Sequence, residues 1–165
     1  MLRRSAFAWL VPFVMALVAT SAVASGVVSN AGAGAGLNYG GLGLNVARAF
    51  GAHFAAVAGA GYFSDGRPGW GAGVQVHAPL ATPTVLARAS VLFGTMRSLH
   101  ASRASGGAFE ELDHGYSVGP GLLARIGARW WIAGDVFYKV TDPPAGYTDG
   151  GSRLCGALGV VYGGW

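Results

Sequence analysis

Apolar and polar positions alternate along most of this chain with a period of two. The clearest case is residues 129–140, Arg-Trp-Trp-Ile-Ala-Gly-Asp-Val-Phe-Tyr-Lys-Val. As an extended strand it presents two faces, because successive side chains point to opposite sides. One face carries Trp130, Ile132, Gly134, Val136, Tyr138 and Val140, with no charge. The other carries Arg129, Trp131, Ala133, Asp135, Phe137 and Lys139, and so holds every charge of the segment. Trp130 and Tyr138 share the uncharged face eight residues apart, a distance along a strand of roughly 26 Å. That approaches the apolar band of about 25 Å, bordered by aromatic girdles, with which a transmembrane β-strand meets lipid.

Similar alternation predicts strands over 37–49, 53–63, 70–79, 85–96, 113–126, 129–141 and 153–162. Phe54, Ala56, Ala58, Ala60 and Tyr62 form another uncharged face. Trp70, Ala72, Val74, Val76 and Ala78 oppose Gly71, Gly73, Gln75 and His77. Tyr116, Val118, Pro120, Leu122, Ala124 and Ile126 oppose Asp113, Ser117, Gly119, Gly121 and Arg125. Leu154, Leu158, Val160 and Tyr162 share a face near the C-terminus. Segment 85–96 leaves its facing open, since Leu86, Leu92 and Met96 lie on one side with Arg88 and Ser90. Arg48 falls on the uncharged side of its strand, where it either snorkels to a polar boundary or marks a bulge.

The connections alternate in length. Short ones fall near 50–52, 80–83 and 127–128; longer or more polar ones fall at 64–69, 99–112 and 142–152. Short turns at one end and long loops at the other are the outer-membrane barrel pattern. A single-chain bacterial barrel needs an even number of strands. The seven segments therefore require an eighth, and Val27–Gly36 is the stretch left to supply it, although glycine and alanine are poor strand formers.

The N-terminus has a different character. Arg3 and Arg4 precede an apolar run over 6–18, and Ala22-Val23-Ala24 is a small-x-small cleavage signature. This predicts a secretory signal peptide at 1–24 and one barrel domain at 25–165. No later apolar run is long enough for a membrane helix. Charged residues make up 11% of the chain and glycine 29 of 165 positions, against usual values of about 25% and 7%. So little charge is expected where many side chains face lipid. The net charge of +4 is dispersed, with no basic block that would suggest nucleic acid. Cys155 has no partner for an intramolecular disulfide after export and reads as a small packed residue.

With these features together, the chain resembles the small outer-membrane β-barrel family that includes the OmpA transmembrane domain and the OmpX-like and opacity-like proteins. The resemblance covers nearly all of the mature chain and includes the terminal aromatic Trp165. It implies an all-β, eight-stranded antiparallel transmembrane barrel in the outer membrane of a Gram-negative bacterium. It also implies contact with outer-membrane lipid and lipopolysaccharide, and assembly by the barrel-assembly machinery. Trp165 departs from the family's C-terminal signal, because Gly163, Val161, Gly159 and Ala157 precede it in register.

Candidate chemistry is sparse. The inward face carries Gly41, Gly43, Gly59, Gly61, Gly71, Gly73, Gly119 and Gly121. Either larger neighbours such as Trp131 and Phe137 fill the space, as in most eight-strand barrels, or the glycines open a narrow pore. The inward charges Arg88, Asp113, Arg125, Arg129, Asp135, Lys139 and Arg153 are expected to pair internally, because a lone buried charge is costly. His53 and His77 lie at or near turns, while His100 and His114 flank 99–112 beside Glu110, Glu111 and Asp113, with no metal-ligand spacing. His114 and Ser117 are three residues apart and point to opposite faces, which disfavours a lipid-modifying hydrolase. Ser29-Asn30 resembles part of a lipid A deacylase motif but lacks the preceding His. Gly32-x-Gly34-x-Gly36 lacks the strand and helix of a nucleotide loop. No catalytic, cofactor or metal residue is assigned. The sequence favours a structural or adhesin-type role through an extracellular partner. A narrow pore, a secreted soluble barrel binding an apolar ligand, and an outer-membrane lipid-modifying enzyme remain as alternatives.

Overall fold

A computed structural model describes residues 29–80, 82, 84–102, 108–142 and 152–164, with the backbone alone described at 97–102 and 108–111. The segment 1–24, the terminal Trp165 and most of 142–152 lie outside the described residues. Eight strands form an antiparallel barrel: β1 Asn30–Gly36, β2 Gly41–Phe50, β3 Phe54–Tyr62, β4 Pro68–Pro79, β5 Val85–Ser102, β6 Ala108–Arg125, β7 Trp130–Lys139 and β8 Leu154–Gly163. Each strand pairs with the next in sequence, and β1 closes on β8 through pairs such as Ala33 with Val160. Closure leaves the barrel wall with no free sheet edge. Among the described residues there is no α-helix.

The Gly/Ala stretch is a strand despite its poor propensity. Asn30–Gly36 takes its backbone partners from two sides, β2 and β8. Ladder hydrogen bonds at a closing seam decide what propensity leaves weak. Both ends of the described chain, Ser29 and Gly164, join there through the Gly164 N–H donating to the Ser29 carbonyl at 3.3 Å. The turns after β2, β4 and β6 lie at this same end, since each follows an even-numbered strand of an up-and-down order. Gly51, with φ 72°, makes the left-handed bend after β2 that a side chain would oppose.

Two segment boundaries are corrected. The segment 37–49 is not one strand. Leu37–Tyr39 forms a 3-10 turn, and β2 begins only at Gly41. Gly36, Gly40 and Gly41, at φ 116°, 62° and 103°, turn the chain inward and back out. Leu37, Asn38 and Tyr39 are all buried, and Tyr39 is 0% exposed. Nor is 99–112 a loop throughout, since 99–102 and 108–112 are strand. β5 and β6 continue their ladder to Ser102 and Ala108, shifting register between Thr95 and Arg97. Two polar chains can satisfy each other's backbone in a hairpin without an apolar face, so polarity alone misreads such a segment as loop.

The inward–outward assignment holds closely. On β7, Trp131, Ala133, Asp135, Phe137 and Lys139 are buried, while Trp130, Ile132, Val136 and Tyr138 are exposed. The facing left open on β5 resolves with Arg88, Ser90 and Leu92 inward and Val91 and Phe93 outward. Of the charges expected inside, Arg88, Asp113, Asp135 and Lys139 are buried. Arg125, Arg129 and Arg153 are exposed instead. They stand at strand ends, where a long side chain reaches solvent at little cost. Arg48 is also exposed, on the outward register near the turn after β2.

Candidate functional site: the barrel interior and the outer belt

The interior is built around Asp135. Arg88 of β5 pairs in register with Gly121 of β6, and Gly121 pairs with Asp135 of β7. The two charged side chains thus lie on either side of a residue that has none. Arg88 Nε donates to Asp135 Oδ1 at 2.6 Å, and Arg88 Nη2 donates to Asp135 Oδ2. Both side chains are 1% exposed. A Cβ on Gly121 would run into Asp135 Oδ1. The glycine is the clearance that lets the pair form across β6. Notably, the partner of Asp135 is Arg88, not its strand neighbour Lys139 or the nearby Arg125, whose guanidinium sits 4.7 Å above the Trp131 ring.

The third donor to Asp135 comes from the inward turn and not from a strand of the wall. Asn38 Nδ2, on the inward turn, donates to Asp135 Oδ2 at 2.8 Å, linking positions 97 residues apart. Leu37 of that turn joins an apolar cluster with Ala47, Ala55, Val57, Leu92, Phe137 and Ala157, drawn from five strands. Glycines give the turn its room. A Cβ on Gly59 would collide with the Asn38 carbonyl, and one on Gly61 would lie 2.6 Å from the Tyr39 carbonyl. The Tyr39 ring fits against Gly34, where an added Cβ would approach Cε2 to 2.8 Å. The inward glycines therefore accommodate a piece of the chain itself, in addition to larger side chains from the wall. A second cluster, Leu123, Trp131, Ala133 and Val161, with Leu86 against it, fills the interior toward the turn after β6. Between them Gln75 Nε2 donates to Ser90 Oγ at 3.3 Å.

The outside has the opposite character. Leu42, Val74, Val91, Val118, Leu122, Ile132, Val136, Leu158 and Val160 are exposed large apolar residues around the wall. Aromatic residues border this belt at both ends. Phe50, Phe54 and Trp130 are exposed at the short-turn end, where Trp130 packs against Tyr162 with ring centroids 5.0 Å apart. At the other end, Trp70, Phe93 and Tyr116 form a run across β4, β5 and β6, with centroid separations of 5.9 and 4.9 Å. Tyr62 and Tyr138 are exposed at the same level of their strands.

No catalytic grouping forms among the described residues. His114 is exposed and stacks 5.8 Å from Trp70, its Nε2 lying 3.3 Å from Thr95 Oγ1. Ser117 is 1% exposed inside the barrel, and Asp113 is also inward. The three cannot act on one substrate atom. His53 Nδ1 lies 3.1 Å from the His77 carbonyl, between the neighbouring strands β3 and β4 at the short-turn end. Ser29 Oγ accepts from the Ala49 N–H at 2.9 Å, a structural role at the start of β1. Gly32-x-Gly34-x-Gly36 is strand β1 itself. Among the described residues no three His, Cys, Asp or Glu side chains group as a metal site. Cys155 is half-buried beside the first apolar cluster. No pattern in the sequence foretells the Asn38–Asp135 contact, because residue separation along a chain does not reveal an inward-folded turn. No family model, no curated protein and no solved structure matches this chain.

Proposed function

We propose that this chain is an outer-membrane protein of a Gram-negative bacterium, a member of the small eight-strand barrel class, exported by residues 1–24 and acting as a structural or surface-interaction protein. The observation that carries this reading is the inversion of polarity: a belt of exposed apolar side chains edged by aromatics outside, and a buried Arg–Asp pair inside. A soluble ligand-binding barrel needs the reverse, because a continuous apolar exterior is unstable in water. Lipid supplies the environment in which that belt is stable, with the aromatic rings at the headgroup levels.

In this orientation the chain ends and the short turns face the periplasm, and the β5–β6 hairpin rises outside the cell. β4 pairs with β5 only up to Gly94, and β7 pairs with β6 only up to Ser117, beyond which the Val140 N–H donates to the Tyr116 carbonyl and the Tyr116 N–H to Thr141 Oγ1. Beyond these points the described strands β5 and β6 pair with each other alone. A projecting hairpin supports interaction with an extracellular partner. The packed interior favours this over a narrow pore.

The test is fractionation followed by a detergent gel of heated and unheated samples. The protein is expected in the outer-membrane fraction, with mobility that changes on boiling. Recovery of the mature chain as a soluble periplasmic protein contradicts the proposal.

A further inference from the structure

We infer that the β6–β7 turn, residues 125–130, is a headgroup site for anionic phospholipid, in which Arg125 and Arg129 take one phosphate while Ile126 and Trp130 lie against the acyl chains. The inference rests on the reading of the outer belt as lipid-facing and adds to it a preference among lipids.

The turn is short and fixed. The N–H groups of Ile126 and Gly127 both donate to the Trp130 carbonyl, at 2.9 and 3.3 Å. The Gly163 N–H donates to the Arg129 carbonyl at 2.9 Å, which ties the turn to β8. Arg125 pairs in register with Trp131, and its guanidinium sits 4.7 Å from the centre of that ring. A guanidinium stacked on a ring keeps its in-plane N–H groups for an acceptor such as phosphate. Arg129 stands in the same turn, and both arginines are exposed. On the outward side the surface is apolar. Ile126 and Trp130 are 59% and 49% exposed, and Trp130 packs on Tyr162. Two cations therefore stand where the apolar belt ends, the level at which a lipid presents its phosphate.

Charge balance separates this end of the barrel from the other. At the long-loop end Arg67 pairs with Asp65, and Arg153 pairs with Asp142. Glu110, Glu111 and Asp113 lie toward that end on β6, and Asp135 is inside, held by Arg88. Among the described residues, the three short turns and the strand ends beside them hold no Asp or Glu, while they hold Arg48, Arg125 and Arg129. Neither Arg125 nor Arg129 forms an ion pair with a described residue. An anionic headgroup supplies the countercharge that the protein does not. A zwitterionic headgroup brings an ammonium of its own, for which this end has no described carboxylate, and so gains less. A free phosphate ion offers the same oxygens without the acyl chains that cover Ile126 and Trp130.

The experiment uses the mature chain folded in detergent micelles, with the heat-dependent gel shift as the check on folding of each variant. The chain is titrated with phosphatidylglycerol or with phosphatidylcholine, and native mass spectrometry counts the bound lipid. Phosphatidylglycerol is expected to bind about 25-fold more tightly, from about fivefold for each arginine beside an anionic headgroup. Arg125→Gln with Arg129→Gln is expected to abolish the preference. Arg67→Gln with Arg153→Gln removes the same charge from the other end and is expected to keep it. Folded protein with no preference overturns the inference and leaves the membrane reading standing. So does a preference that survives the first double variant or is lost equally in the second. Displacement of phosphatidylglycerol by inorganic phosphate, where chloride at equal ionic strength displaces none, assigns the arginines to a free anion and overturns the inference as well. A chain that binds neither lipid and stays folded and soluble without detergent overturns both the inference and the membrane reading.

Discussion

Arg88 on β5 and Asp135 on β7 form a doubly hydrogen-bonded ion pair across Gly121 of the strand between them. The pair spans three strands and sits at 1% exposure, so each charge depends on the other. Its strength as a tie follows from what removal of one partner leaves behind, an uncompensated charge in the interior.

Arg88→Met is therefore expected to destabilise the barrel by about 3–5 kcal/mol. The double variant Arg88→Met with Asp135→Leu removes both charges and is expected to recover a large part of that loss, because buried pairs replaced by apolar groups cost little. Equilibrium unfolding in urea, run as a double-mutant cycle, gives the coupling energy. Additive losses would show that the two side chains do not depend on each other.

Gly121→Ala tests the clearance. The new methyl meets Asp135 Oδ1 and displaces the carboxylate from Arg88, at an expected cost of about 1–3 kcal/mol. Gly134→Ala is the control, since a Cβ there meets nothing within 4 Å. The same unfolding assay should show little loss for Gly134→Ala. Equal losses at the two positions would point to general strand effects.

Val136 tests the outer belt. It is 51% exposed in the middle of β7, one residue from buried Asp135. If that belt meets lipid, Val136→Arg costs about 2–4 kcal/mol near the midplane, where neither water nor a partner is available. In water the same change costs no more than about 0.5 kcal/mol. Reversible unfolding in lipid vesicles separates the two cases.

Shortening the β5–β6 hairpin tests surface function. Excising 99–112 and rejoining the strands with a short turn removes ladder that neither β4 nor β7 shares. The melt and the gel mobility are expected to be retained, while binding to an extracellular partner is lost. Loss of folding would mean that the hairpin supports the wall.

The proposed export makes a prediction about mass. Cleavage after Ala24 is expected to leave a mature N-terminus at Ser25. Intact-protein mass spectrometry of the membrane fraction checks this, and retention of residues 1–24 contradicts it.

What the sequence determined by itself is the two-faced wall. Period-two alternation on 129–140 dictates which side of β7 each residue occupies, because a strand has only two sides, and the buried Trp131, Asp135 and Phe137 follow from it. The eighth strand follows too, from the parity of a closed barrel rather than from the propensity of its glycines and alanines. Only the tertiary structure decided what lies inside. Asp135 could be read as inward, but its partner depends on which strand stands two places away and on the missing side chain of Gly121 between them. The turn at Leu37–Tyr39 carries the same apolar–polar alternation as a strand. It turns inward because Gly59 and Gly61, on another strand, leave it room. A local pattern records which face a residue takes; it holds no information about the space that distant residues leave empty.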